Sequence, residues 1–114
     1  MELLPGTYTF RVSYAGGRQT LRQDIGTNPL VQFTTKHVTV ELRDSAGAPL
    51  AGDAEYNVGG WQPFGTGTTP ATMELLPGTY TFRVSYAGGR QTLRQDIGAN
   101  PLVQFTTKHV AVEH

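Results

Sequence analysis

MELLPGTYTFRVSY stands at residues 73–86, and the same run opens the chain at residues 1–14. Its reading decides the fold. In the first copy Tyr8, Phe10, Val12 and Tyr14 share one face of an alternating pattern, and Thr7, Thr9, Arg11 and Ser13 share the other. A period of two with one apolar face is the signature of a half-buried strand. Leu4-Pro5-Gly6 precedes it, with a proline that presets φ and a glycine that accepts a positive φ. Ala15-Gly16-Gly17 predicts a hairpin tip, and residues 18–25 a more polar return strand with Leu21 and Ile25 inward. Gly26-Thr27-Asn28-Pro29 turns the chain again.

The repetition extends well beyond the opening run. Residues 1–41 match residues 73–113 at a constant offset of 72, differing only where Thr27 faces Ala99 and Thr39 faces Ala111. At the next position Leu42 is matched by His114, and this ending reads as the junction with a purification tag. The chain is thus one 72-residue period plus 42 residues of the next.

Residues 30–42 carry a parity change. Val31 and Phe33 are odd, whereas Val38, Val40 and Leu42 are even. One strand cannot bury both sets on the same face, so the run divides near Thr35-Lys36-His37, at the joint between modules. Beyond it, residues 38–44 and 55–58 read as strands and Ser45-Ala46-Gly47-Ala48-Pro49 as a turn. Residues 59–72 read as a Gly/Thr/Pro-rich loop, and residues 72–76 lead back to the Pro-Gly turn. About seven short strands per period, without a helical period anywhere, predict an all-β, Greek-key β-sandwich. The expected domains are residues 1–37, the C-terminal part of a repeat; 38–109, one complete repeat; and 110–114, the first-strand stub of another plus the tag residue.

Val-Glu-Leu-Arg-Asp-Ser-Ala-Gly-Ala-Pro-Leu-Ala-Gly, a Gly/Thr loop and then Leu-Leu-Pro-Gly-Thr-Tyr-Thr-Phe-Arg-Val resemble the bacterial prealbumin-like, Ig-like sandwich repeats. These include carboxypeptidase-regulatory-like, PEGA-type and collagen-adhesin B-type modules. The resemblance covers roughly residues 38–109 and lies in turn chemistry, which speaks to fold more than to function. It implies a spacer, stalk or adhesive repeat of an extracellular or cell-surface protein, without catalytic activity. Adhesin B-type domains can carry a Lys–Asn crosslink assisted by a Glu. Here Lys36 and Lys108 are the lysines and Asn28, Asn57 and Asn100 the asparagines, but Thr81-Phe82-Arg83 follows Tyr80 where that Glu is expected. The departure argues against the crosslink.

Composition narrows the remaining classes. Nine basic and nine acidic side chains cancel, so no net field draws nucleic acid or an anionic membrane. The absence of cysteine removes disulfides, thiol catalysis and Cys-based zinc sites. No apolar run approaches the roughly 20 residues of a membrane span, and an export signal would have to lie outside these residues. No catalytic constellation, cofactor site or metal site is expected. His37 and His109 lack an acidic neighbour at ligand spacing and read as solvent-facing linker residues. Asp24, Asp44 and Asp96 read as caps of their own turns. Gly65-Thr66-Gly67 lacks the lysine and helix of a phosphate loop.

Two features remain as candidate sites. Trp61 and Phe64 on a Gly-rich loop, with Tyr56 nearby, suit a sugar or peptide platform, for a glycan or surface-protein partner; the competing reading has Trp61 folded back to plug the sandwich. The second is stoichiometric. Residues 1–41 and 73–113 are two long halves, whereas residues 42–72 are a single short half. One long half is therefore surplus and presents Tyr8, Phe10, Val12, Tyr14, Leu21, Ile25, Val31 and Phe33. Left wet, these side chains forfeit on the order of 10 kcal/mol. Disorder, edge docking on a neighbouring chain, face-to-face packing of two surplus halves and pairing of the two long halves within one chain compete. Strongly strand-forming sequence favours association, with the chain itself as the expected partner.

Overall fold

The computed structural model describes residues 2–112; the tag reading of His114 falls outside them. The described residues form ten β-strands and no helix. β1 (Thr7–Tyr14) and β2 (Gly17–Asp24) make an antiparallel hairpin running from Thr7↔Asp24 to Tyr14↔Gly17. Its two-residue turn has φ of 49° at Ala15 and 82° at Gly16. Two positive values mark the turn type whose twist matches that of the flanking strands, and glycine at the second position removes half of the steric cost. β8 (Thr79–Tyr86) and β9 (Gly89–Asp96) repeat this hairpin, with φ of 50° and 81° at Ala87 and Gly88. The same local sequence folds the same way in two different surroundings.

A complete β-sandwich occupies residues 36–106. β3 (Lys36–Arg43) is central to one sheet: β10 (Leu102–Thr106) lies along one edge, and β4 (Pro49–Leu50) and β7 (Ala71–Leu75) share the other. The second sheet runs β6-β5-β8-β9, with β5 at Asp53–Asn57 and β6 at Trp61–Thr68. The core lies between them. Val38, Val40 and Leu42 of β3 and Val103 and Phe105 of β10 face Ala54, Tyr56, Phe64, Phe82 and Val84 across the gap, all at most 4 % exposed. Pairing is antiparallel except for β10 on β3, which is parallel in the register Leu102↔Thr39 to Thr106↔Arg43. Backbone bonds from Thr39 N–H to the Pro101 carbonyl (3.0 Å) and from Thr107 N–H to the Arg43 carbonyl (2.8 Å) extend that pair at both ends.

The parity change expected near Thr35 is where β3 begins, at Lys36. His37 belongs to that strand and not to a linker. It is solvent-facing, with Nδ1 3.2 Å from Oε2 of Glu74 on β7, its partner in register. The 59–72 loop expected from composition is instead β6 followed by β7. β6 is an edge strand, where Pro63 has no inner ladder bond to lose. Its register against β5 slips between Asp53 and Glu55, and positive φ at Gly65 (58°) and Gly67 (81°) absorbs the irregularity. Alternation along the regular part of the strand, from Asn57↔Trp61 to Glu55↔Pro63, turns Phe64 into the core before the slip begins.

The long halves do not pair with each other. The β1–β2 hairpin stands end-on against the sandwich, giving a rod of 76 × 25 × 20 Å. Residues 107–112 leave the far end of β10 without joining a sheet.

Candidate functional site

The candidate ligand loop comes apart once the side chains are placed. Phe64 is 0 % exposed and meets Tyr56 and Phe82 edge-on, each at 5.7 Å between ring centroids. Phe64, not Trp61, therefore fills the sandwich interior. Tyr56 is also a core residue. Trp61 alone stays partly exposed, on the outer face of the second sheet, with the Arg83 guanidinium 4.1 Å above its ring. Arg83 also donates to Glu55 Oε1, 2.8 Å away and directly across the β5–β8 register. Tyr56, Trp61 and Phe64 thus share no surface.

The acidic turn residues bind their own backbone. Asp44 Oδ1 accepts from the Ala46 and Ala48 N–H groups (2.9 and 2.8 Å), and Asp24 and Asp96 accept from Gly26 and Gly98 (2.9 Å each). The described residues hold no group of three or more His, Asp or Glu able to cage a metal ion. An open depression of about 840 Å³ on the outer face of the second sheet includes Asp53, Glu55, Arg83 and Arg90. Glu55 and Arg83 satisfy one another there.

The junction between the hairpin and the sandwich is closely fitted. Ala15-Gly16-Gly17 sits in a socket made by Tyr56, Val58 and Tyr80. The Tyr56 hydroxyl donates to the Ala15 carbonyl (3.2 Å) and the Tyr80 hydroxyl to the Leu76 carbonyl (2.8 Å). A Cβ on Gly16 would run into the Val58 side chain, and one on Gly17 into the Tyr80 hydroxyl. Only glycine allows this approach. Burial raises both phenol pKa values; a lesser contribution comes from Tyr14 at Tyr56 and from Tyr56 at Tyr80. The identical tip Ala87-Gly88-Gly89 is free, and a Cβ on Gly88 would meet nothing within 4 Å.

No family model, curated protein or solved structure matches the chain.

The two copies of the repeat provide an internal comparison of burial. Tyr80, Phe82, Val84, Ile97, Val103 and Phe105 are all at most 7 % exposed, whereas their counterparts Tyr8, Phe10, Val12, Ile25, Val31 and Phe33 are all partly exposed. Tyr14 and Leu21 do not distinguish the copies: Tyr14 and Tyr86 are both exposed, and Leu21 and Leu93 both partly buried. The open face is also wider than the strand pattern indicated. Leu3 and Leu4 are 41 % and 80 % exposed, against 0 % and 2 % for Leu75 and Leu76. Leu3, Pro5, Phe10, Ile25, Pro29 and Val31 line a concavity of about 310 Å³, with Glu2 at its rim. At the other end of the rod Val110 and Val112 are 74 % and 90 % exposed, while Val38 and Val40, which they repeat, are fully buried.

Proposed function

We propose that the chain is a non-enzymatic structural or adhesive repeat of an extracellular bacterial array, which self-associates by strand exchange or domain swapping through its surplus half. One observation carries the self-association: side chains that form the core in the second copy are left partly open in the first. Exposed apolar side chains grouped on one face are unfavourable in water and mark interaction surfaces. The joint supports the array reading, because the turn of one repeat fits the end of the next within this chain. The extracellular bacterial setting rests on the turn chemistry that resembles prealbumin-like surface repeats. A sugar or peptide platform through Trp61 and Phe64 is the weaker reading, since it requires Phe64 to leave the core.

Light scattering after size exclusion, over a range of concentrations, tests the association. A dimer or larger species is expected. A single chain mass throughout, with the N-terminal third mobile by NMR, would end this reading.

A further inference from the structure

The strand edge of residues 30–34 has a pairing partner written elsewhere in the same chain. In the complete sandwich, the strand beside Leu102 and Val103 is β3, with Thr39 and Val40 in parallel register. The 72-residue offset turns that register into Leu30 beside Ala111 and Val31 beside Val112. The backbone bond from Thr39 N–H to the Pro101 carbonyl becomes one from Ala111 to Pro29. The donor segment already projects from the rod, with Val110 and Val112 exposed where Val38 and Val40 are fully buried. The acceptor face and the donor segment lie toward opposite ends of a rod 76 Å long, so a copy cannot complete itself.

We infer that the 114-residue chain assembles head to tail: residues 111–112 of one copy pair in parallel with residues 30–31 of a second, and the free Ala87-Gly88-Gly89 tip of the first seats on Tyr8 of the second. The tip contact follows from the joint inside each copy. There Ala15-Gly16-Gly17 meets Tyr56, Val58 and Tyr80, and of these three only Tyr80 has a counterpart in the first copy, Tyr8. Tip and donor segment both leave the same end of the sandwich, as Ala15-Gly16-Gly17 and β3 both meet at the internal joint. Each copy offers one donor and one acceptor, so the counts match along a row of any length. Because donor and acceptor are different surfaces, the contact is heterologous and extends a row unless the rotation between copies closes a ring. This inference rests on the self-association reading above and adds partner, strand and register to it.

The test uses two variants and their mixture, followed by light scattering. Wild type is expected to gain mass with concentration beyond two chains. Val110→Asp with Val112→Asp removes the donor at positions exposed in the isolated chain, so the thermal midpoint and Trp61 emission stay unchanged while all species above one chain mass disappear. Val31→Asp with Phe33→Asp removes the acceptor and has the same effect on mass. An equimolar mixture of the two variants restores one donor–acceptor contact and stops at two chain masses. Association of the donor variant at wild-type levels, or a mixture that stays at one chain mass, overturns the strand assignment while leaving self-association standing. A wild type that remains at one chain mass throughout overturns both.

Discussion

Phe82→Ala and Phe10→Ala delete the same side chain from the same local sequence, so their difference isolates the contribution of the opposing sheet. Phe82 is 0 % exposed, edge-on to Phe64 at 5.7 Å and tilted against Tyr80 at 6.3 Å. Truncating such a core phenylalanine costs about 3–5 kcal/mol, of which about 0.5–1.5 kcal/mol belongs to the aromatic geometry. Phe10 keeps its tilted contact with Tyr8 at 6.3 Å but has no counterpart of Phe64 above it. Its loss falls nearer 1 kcal/mol and is confined to the hairpin. Trp61 is the single tryptophan and lies in the sandwich, so its fluorescence in urea reports the sandwich alone. At a slope of about 1 kcal/mol per molar urea, Phe82→Ala lowers the midpoint by about 3 M or more, enough to leave the sandwich largely unfolded in buffer. Phe10→Ala, measured at a concentration where the chain is dilute, leaves the midpoint within about 0.5 M of wild type. Equal destabilisation by the two substitutions would refute the argument, because Phe10 would then be as well covered as Phe82.

Gly17→Ala unseats the hairpin by driving a methyl group into the Tyr80 hydroxyl, whereas Gly89→Ala meets only ordinary contact with the Tyr86 carbonyl; small-angle scattering should lose the 76 Å rod in the first variant alone. Tyr56 and Tyr80 hold raised phenol pKa values because burial favours their neutral, donating forms. Their contribution to stability is complete below the ordinary value of 10.0 and is lost as the pH rises through that value toward the raised ones. Two of the five tyrosines should therefore titrate late by phenolate absorbance, with the thermal midpoint falling over the same range. Arg83→Ala removes the Glu55 ion pair and the cation over Trp61, costing about 1–2 kcal/mol and shifting Trp61 emission to the red.

Strands whose neighbours are local were legible in the sequence. β1 and β8 follow from strict alternation, and their hairpin tips from Ala-Gly-Gly, because turn and strand chemistry act over a few residues. β6 was hidden because Pro63, Gly65 and Gly67 look like loop residues; only its place at a sheet edge and its slipped register make them compatible with a strand. Trp61 and Phe64 therefore read as neighbours on one loop, although strand alternation over an odd separation sends them to opposite faces. The parallel contact of β10 with β3 joins segments more than sixty residues apart and leaves no local mark. The socket had the same defect, since Tyr56, Val58 and Tyr80 converge only after folding. Counting halves singled out Tyr8, Phe10, Val12, Ile25, Val31 and Phe33, which are more open than their second copies, but also Tyr14 and Leu21, which are not, and it passed over Leu3 and Leu4, which lie before the strand pattern begins.

The parallel contact between the first and last strands of the sandwich has a mechanical meaning. The chain enters at the start of β3 and leaves at the end of β10, and these two strands lie side by side, pointing the same way. Tension along the rod pulls them past one another, so the bonds between them are loaded together in shear and not opened one at a time from an end. A row of such units would carry load through its termini, with each sandwich held shut by the strands to which the pull is applied.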